Sequence, residues 1–567
     1  MTPNAASGSA GSSGTSRRSF LASTAVATAA VAGGMPLLAA CGSSDGGSRG
    51  GTTSGKNAKK ILPAYVASNV VSPDIPSKNG SSMGFTGKLD VDTLKTSVPK
   101  KLGKGGKVTI MSPFWGSPPK GNCAYYTAAN SMIGVDVQWQ NQDGNTYDQK
   151  LGAVLASSDI PDVVVIPGWN MTAKIPSAIV GKFADLGPYL SGDKVKEYPN
   201  LAAIPSDAWQ RSIFGGKLMG LPMPASYVQN IVPLYRQDLF EKQGYQVPKS
   251  ADEFMSLAKE ITSPRTKRWA CGDMKWTAFN TFGVISGGEK SLSWTMVDGK
   301  MTHRMETPEY LEALEWTRKL FAAGYVHPDF KLGKSQATDP SAKFAAGEFL
   351  IWNNDISNWY AQQAVQAAQN PDFKIWGMDL WGHDGGNPVL WAANPAGIFA
   401  FVNKKASESV IRDVLAVANV TAAPYGTKEW MMTNYGVEGT HYTLKNGVPV
   451  KTDKGNNEVI NAFVMVASPA STIAHPDLPE YTKGMVGWQQ RMGAFTKKSS
   501  FWGLQIVEPN RYTNLTNDME QLEDDIVRGH KKMSDMQQFI SDWKSKGGDR
   551  LRDWYKKLLD ENGSAAS

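Results

Sequence analysis

Cysteine is scarce in this chain, with three among 567 residues, at positions 41, 123 and 271. Cys123 and Cys271 lie 148 residues apart and can close at most one disulfide. No CxxC pair and no Cys/His metal spacing occurs, so the expectation is two separate buried thiols. The six histidines, 303, 327, 383, 441, 475 and 530, contain no HExxH arrangement, and His441 reads as structural. We therefore expect no metal and no cofactor. The formal net charge of +7 is mild for this length and argues against a nucleic-acid partner. Beyond residue 40 there is no run long and apolar enough to span a bilayer. Enzyme signatures are also poor. Glu306, Glu309, Glu312 and Glu315 fall at helical spacing and read as a solvated face.

Aromatic residues are abundant by contrast, at 10% with 18 tryptophans, which calls for large cores or for rings used in binding. The start of the chain is equally distinctive. Arg17 and Arg18 are followed by Phe20 and Leu21, then by Ala22 to Ala40 without a charge, and then by Cys41. A cationic start, an apolar middle and small residues before a cleavage point make an export signal. The arginine pair resembles a twin-arginine signal, and Leu38-Ala39-Ala40-Cys41 resembles a lipobox, at which bacterial lipoproteins are cut and the cysteine acylated. A membrane span is the competing reading, but Ala, Thr and Gly bury little area per residue. Residues 1–40 are thus expected to be removed and Cys41 to carry lipid, leaving a formal charge of +5 and a protein held at the outer face of a membrane.

Residues 42–59 are Gly, Ser and polar, a composition that predicts a flexible tether. Two GxSxG matches, at Gly42–Gly46 and Gly46–Gly50, lack the strand and helix that a hydrolase elbow requires. Gly50–Lys56 falls short of a phosphate loop because Asn57 stands where Ser or Thr is needed. Residues 60–104 are Pro-rich and irregular, and predict an extended arm lying on the first folded lobe.

From residue 107 the pattern becomes regular. Lys107–Trp115 predicts a strand, 122–133 a helix, Val135–Gln142 a strand, Tyr147–Ser157 a helix, and Asp162–Pro167 a fully buried strand. This alternation predicts an α/β fold with a parallel, doubly wound sheet, whose ligands sit beyond the carboxyl ends of the strands. Phe183–Leu190 predicts a turn and a short helix, and Gly216–Pro224 an extended crossing segment. Val228–Tyr235 predicts a strand, followed by two helices, the second capped by Ser250 with Glu253 three residues on. Pro308–Ala323 predicts an amphipathic helix, Phe349–Trp352 and 373–380 strands, and Pro395–Asn403 a return crossing. Helices at about 406–420, at Asp518–Arg528 and around Leu551–Leu559 complete the chain.

The order of DVVVIPGW, FADLGPYL, GKLMGLPMP, PLYRQDLFEKQGYQVPKSADEFMSLAKEIT, GEFLIWNN and NYGVEGTHYTL resembles the extracellular solute-binding proteins of ABC importers, and the last motif their larger oligosaccharide-type lipoprotein subgroup. The resemblance covers about 107–560. It implies two α/β lobes of the type II periplasmic-binding-protein kind, with hinge crossings and a ligand between the lobes. It implies residues 41–104 as anchored tether and arm, 105–226 plus 388–450 as the first lobe, and 227–387 plus 451–567 as the second. One departure stands out. Where the subgroup often has an acidic calcium loop after the helix ending near Ile261, this chain reads TSPRTKRWACGD. Arg265, Lys267 and Arg268 oppose a hard cation there.

Sugar rings offer apolar faces to Trp and Tyr, and hydroxyl edges to Asn, Asp and Gln. Trp115, Trp169, Tyr227, Trp276 and Trp352 fall at expected strand ends or crossings, with Asn170, Asn354 and Asp355 as polar partners. Trp139, Trp316 and Trp554 fall inside elements and are expected in the core. The function expected is capture of a carbohydrate, an oligosaccharide, by a monomer that delivers it to ABC permease membrane subunits. The alternative is a tethered extracellular hydrolase or lyase, which would need two carboxylates flanking one bond at about 5–10 Å.

Overall fold

The computed structural model describes residues 60–563, except 116, 172–174, 229, 332–339, 446 and 461. The export signal, Cys41 and the tether lie outside the described residues. Eleven strands organise the rest: β1 (Met83–Phe85), β2 (Lys107–Phe114), β3 (Asp136–Asp143), β4 (Val163–Pro167), β5 (Gly220–Pro224), β6 (Ile231–Arg236), β7 (Trp269–Cys271), β8 (Phe349–Asp355), β9 (Ile375–Gly377), β10 (Ala396–Val402) and β11 (Thr472–Ala474).

The first sheet runs β3-β2-β4-β10-β5. β2 pairs in parallel with β3 and β4, while β10 lies antiparallel between β4 and β5. Every residue of β4 is buried, as the unbroken VVVIP run requires of a strand covered on both faces. Helices α1 (Ala124–Ile133) and α2 (Tyr147–Ala156) make the crossovers. α1 stops at Gly134, whose φ of 80° gives the left-handed cap a side chain would resist. The second sheet runs β9-β6-β8-β7. Between β6 and β7, α3 (Ala251–Ile261) begins at Ser250, whose side chain accepts from the Glu253 amide at 3.1 Å. The Glu253 carboxylate reaches back to the Lys249 amide, one residue before the cap. The sheets belong to two α/β lobes, and residues 225–230 link β5 in the first to β6 in the second.

Strand direction decides what meets at the lobe edges. In the first lobe the ends of β2, β4 and β5 and the start of β10 share one edge. In the second, the start of β6 and the ends of β7, β8 and β9 share another.

Three expectations change. Residues 216–224 are not a crossing, because β5 is the sheet's edge strand, held by β10, and the crossing begins after Pro224. Val459, Ile460, Ala462, Phe463, Val466 and Ala467, assigned from sequence to the second lobe, pack into the first lobe's core with β2, β4 and β10. The arm does not lie on the first lobe alone. It starts there, with the Ala64 and Val66 amides donating to Gly192 and Ala202 carbonyls. It then crosses to helix α9 (Pro479–Gly493), which follows α4 (Lys275–Phe282), α5 (Pro308–Ala322), α6 (Ser357–Ala367), α7 (Glu408–Thr421) and α8 (Lys428–Tyr435) in the chain. There Ser82 donates to Gln489 at 2.9 Å, and β1 pairs in parallel with β11. It returns to the first lobe where Glu429 accepts from the Ser97 and Val98 amides. Cys123 and Cys271 are free and buried, as expected.

Candidate functional site

The sheet edges sort the aromatic residues picked out from sequence. Trp115 follows β2 and Trp169 follows β4, so two adjacent parallel strands deliver their indoles side by side, with centroids 6.4 Å apart at 49°. They are 46% and 59% exposed, which few tryptophans are without a use for the face. Beside Trp169, the buried Oδ1 of Asn170 has no hydrogen-bond partner among the described residues, a state that calls for an explanation such as a ligand or water. The second lobe contributes Glu289 at this point. It pairs with the buried Arg211 of the first lobe at 2.7 Å, and its Oε1 stands 3.6 Å from where a Cβ on Gly168 would be.

Trp276 occupies the first turn of α4 and is 39% exposed. Its neighbour Lys275 is tied to Asp524 at 2.6 Å and Glu523 at 3.3 Å, and Thr277 donates to Asn353 at 2.6 Å, so both flanks of the tryptophan are fixed. Trp352 is a correction. It is 7% exposed, packed against Phe344 and Phe349 in a core. β8 is covered on both faces here, with Ile351 in one core and Trp352 in another, so the strand end offers neither side chain to solvent. Tyr227 is already engaged, set edge-on against Trp502 at 5.4 Å with the Lys498 ammonium 5.0 Å from its ring. Asn354 and Asp355 act locally. Asn354 Oδ1 accepts from Asn358, while Asp355 accepts from the Ser357 amide and hydroxyl and from Asn230.

A hollow of about 600 Å³ opens where the β5 end, the β10 start and the crossings meet. That size is ordinary for a small-molecule site. Its walls come from many parts of the chain: Ser82 from the arm, Asn230 and Asn394 from the crossings, Tyr425, Trp430 and Asn434 around α8, and His475 and Gln489 around α9. Both polar atoms of the Asn394 amide and the Tyr425 hydroxyl are buried without a partner among the described residues. Tyr425 and Trp430 meet edge-on at 4.6 Å. Burial pushes His475 down to about 4 against the opposing pull of Asp477, so its imidazole is neutral at ordinary pH. The ring stacks on Tyr360, whose hydroxyl donates to Asp477 at 2.7 Å. The cavity sits two strands along the same edge from Trp169, roughly 10 Å at 4.7–4.9 Å per strand.

Of these lining residues, sequence reasoning selected none. Asn394 carried a usable signal, since it precedes the apolar β10 run much as Asn170 follows the apolar β4 run. Tyr425, Trp430 and Asn434 carried none, because nothing local tells which helix faces a cavity. Among the described residues no group of three or more His, Cys, Asp or Glu is placed to hold a metal ion.

Comparison with known proteins follows this geometry. At 21% identity, lipoprotein LipO of Bacillus subtilis aligns over 483 residues, 80% of this chain and 93% of its own. The polygalacturonan/rhamnogalacturonan-binding protein YtcQ of the same organism is 24% identical over 366 residues, covering 62% of this chain and 70% of its own. The structure of the N-glycan transport solute binding protein NgtS from Streptococcus pneumoniae superposes with a TM-score of 0.59 at 15% identity, over 80% of this chain and 98% of that one. The profile of bacterial extracellular solute-binding proteins matches residues 130–423, and the chain belongs to that family.

Proposed function

We propose that this protein is the lipid-anchored, extracellular receptor of an ABC importer, binding a carbohydrate between its lobes and passing it unchanged to membrane permease subunits. The observation that carries the sugar assignment is the edge-lined cavity, where indole and phenol rings stand beside amide and hydroxyl groups left without partners. Such groups cost free energy when buried and unpaired, and a ligand hydroxyl relieves that cost. The relatives lean the same way: YtcQ is a polygalacturonan/rhamnogalacturonan-binding protein, and NgtS is an N-glycan transport solute-binding protein. The exposed Trp115–Trp169 pair, with Asn170, and Trp276 are read as outer platforms that extend the cavity to an oligosaccharide. Among the described residues no carboxylate lines the cavity, which favours retention of the ligand over glycoside cleavage. Closure about the 225–230 link and its companion crossings would convert an open receptor into the form that docks on a permease.

The Cys41 lipid and the twin-arginine export route complete the reading, as does a monomeric state. The lobe boundaries read as 105–226 plus 395–467 for the first, and 227–394 plus 468–563 for the second, since Leu390 packs in the second lobe's core. Mass spectrometry of solute released from the purified protein tests the assignment. A released oligosaccharide, rebinding with a saturable change in tryptophan fluorescence and recovered intact, supports it. Release of shortened products points to hydrolysis instead.

A further inference from the structure

We infer that the cavity selects neutral glycans and turns away uronate-containing ones, an inference that rests on the carbohydrate reading above. The walls offer amides, hydroxyls, aromatic rings and apolar side chains; among the described lining residues there is no Lys, Arg, Asp or Glu. His475, the one titratable nitrogen in the lining, is held neutral by burial.

The charges just behind the walls have the wrong sign for an acidic sugar. Asp355 accepts from two side chains that line the cavity, Asn230 and Ser357. Asp477 accepts from Tyr360, the ring stacked on His475. Nearby cations are engaged on rings: Lys451 lies over Tyr435 at 5.8 Å, and Lys498 over Trp502 and Tyr227 at 3.8 and 5.0 Å. A ligand carboxylate would therefore give up water without meeting a counter-charge, and would face two carboxylates in a medium that screens poorly. Hydroxyls meet no such penalty, since the unpaired Asn394 amide and Tyr425 hydroxyl supply donors and acceptors.

The test uses ligand pairs that keep the sugar backbone and differ at C6, where one member carries a carboxylate and the other a neutral group. The full-length mature chain is titrated by calorimetry with tetragalacturonate and its methyl ester, and with β-1,4-mannotetraose and tetramannuronate. The neutral member of a pair is expected to bind at least about 100-fold more tightly, with little dependence on salt. Equal or tighter binding of the free acids overturns the charge assignment while leaving the sugar reading in place. A flat response to both members of both pairs, together with no glycan recovered from the native protein, overturns the sugar reading and this inference with it. Asn394→Ala locates the site. An unchanged melting temperature with about tenfold or greater loss of affinity for the neutral ligand supports the cavity. Unchanged affinity for that ligand removes the cavity from the argument.

Discussion

The indole of Trp115 lies against Gly144, so closely that a Cβ on that glycine would stand inside the ring system. The contact joins the end of β2 to the loop after β3, and it sets the angle at which the ring meets Trp169. Gly144→Ala must therefore push the indole away without touching any ligand directly. If Trp115 is a sugar platform, affinity should fall by about three- to tenfold, the range that follows from an aromatic contact of about 0.5–1.5 kcal/mol. Fluorescence titration of the variant reads this, and unaltered affinity would take Trp115 out of the site.

Trp352 and Trp169 should separate cleanly in stability measurements. The first is 7% exposed among Phe344 and Phe349, the second 59% exposed. Trp352→Ala should cost about 3–5 kcal/mol in chemical denaturation. Trp169→Ala should stay within about 0.5 kcal/mol and show its effect in ligand affinity.

His475 makes stability depend on pH in a defined direction. Its folded pKa of about 4 is below the unfolded value of 6.5, so the unfolded chain binds the extra proton between these limits. Stability should then fall with acidification from pH 6.5 toward 4, by about 1.4 kcal/mol per pH unit for this group, and be indifferent to it above 6.5. Buried His303, flanked by Arg304 and Arg552, is shifted the same way and adds to the slope. His475→Phe keeps a ring against Tyr360 and removes one proton's worth of slope. Denaturation midpoints across pH 4–8 provide the check.

Glu523 is the hub beneath Trp276. It accepts from Lys275, Arg304 and the Tyr310 hydroxyl, all largely buried. Glu523→Ala strips Arg304 of its carboxylate while Lys275 keeps Asp524, and should cost about 3–5 kcal/mol. Thermal melts show the loss, and emission from Trp276 should shift as the first turn of α4 loses one of its two carboxylate anchors.

The sequence was most legible where the period was unambiguous. VVVIP announced a covered strand, and Leu551, Tyr555 and their neighbours announced a core-facing helix; Leu551 and Tyr555 are buried in the second core. The exposure of Trp115 and Trp169 was legible because each follows a strand of a doubly wound sheet, whereas Trp276 is exposed from the first turn of a helix. Trp352 was not legible, because a strand covered on both faces reads as the same apolar run as one ending in a cleft; Ile351 packs in one core and Trp352 in another. The cavity was harder still. Its walls come from positions as distant as Ser82, Asn230, Asn394, Trp430 and Gln489, and only the packing of the crossings against the arm assembles them. The arm's path was missed for a related reason: its irregular, proline-bearing stretch gives no periodic signal, and its anchors, Glu429 and Gln489, lie more than 300 residues away.

That path bears on how the molecule is handled in the laboratory. Trimming a recombinant form back to Lys107, the first strand of the main sheet, would look conservative on a secondary-structure map. It would in fact strip Ser82 from the chamber, leave β11 without its companion strand, and expose the flank of α9 where Gln489 sits. A shortened product that folded but failed to hold ligand would be reporting a missing wall, not a missing function.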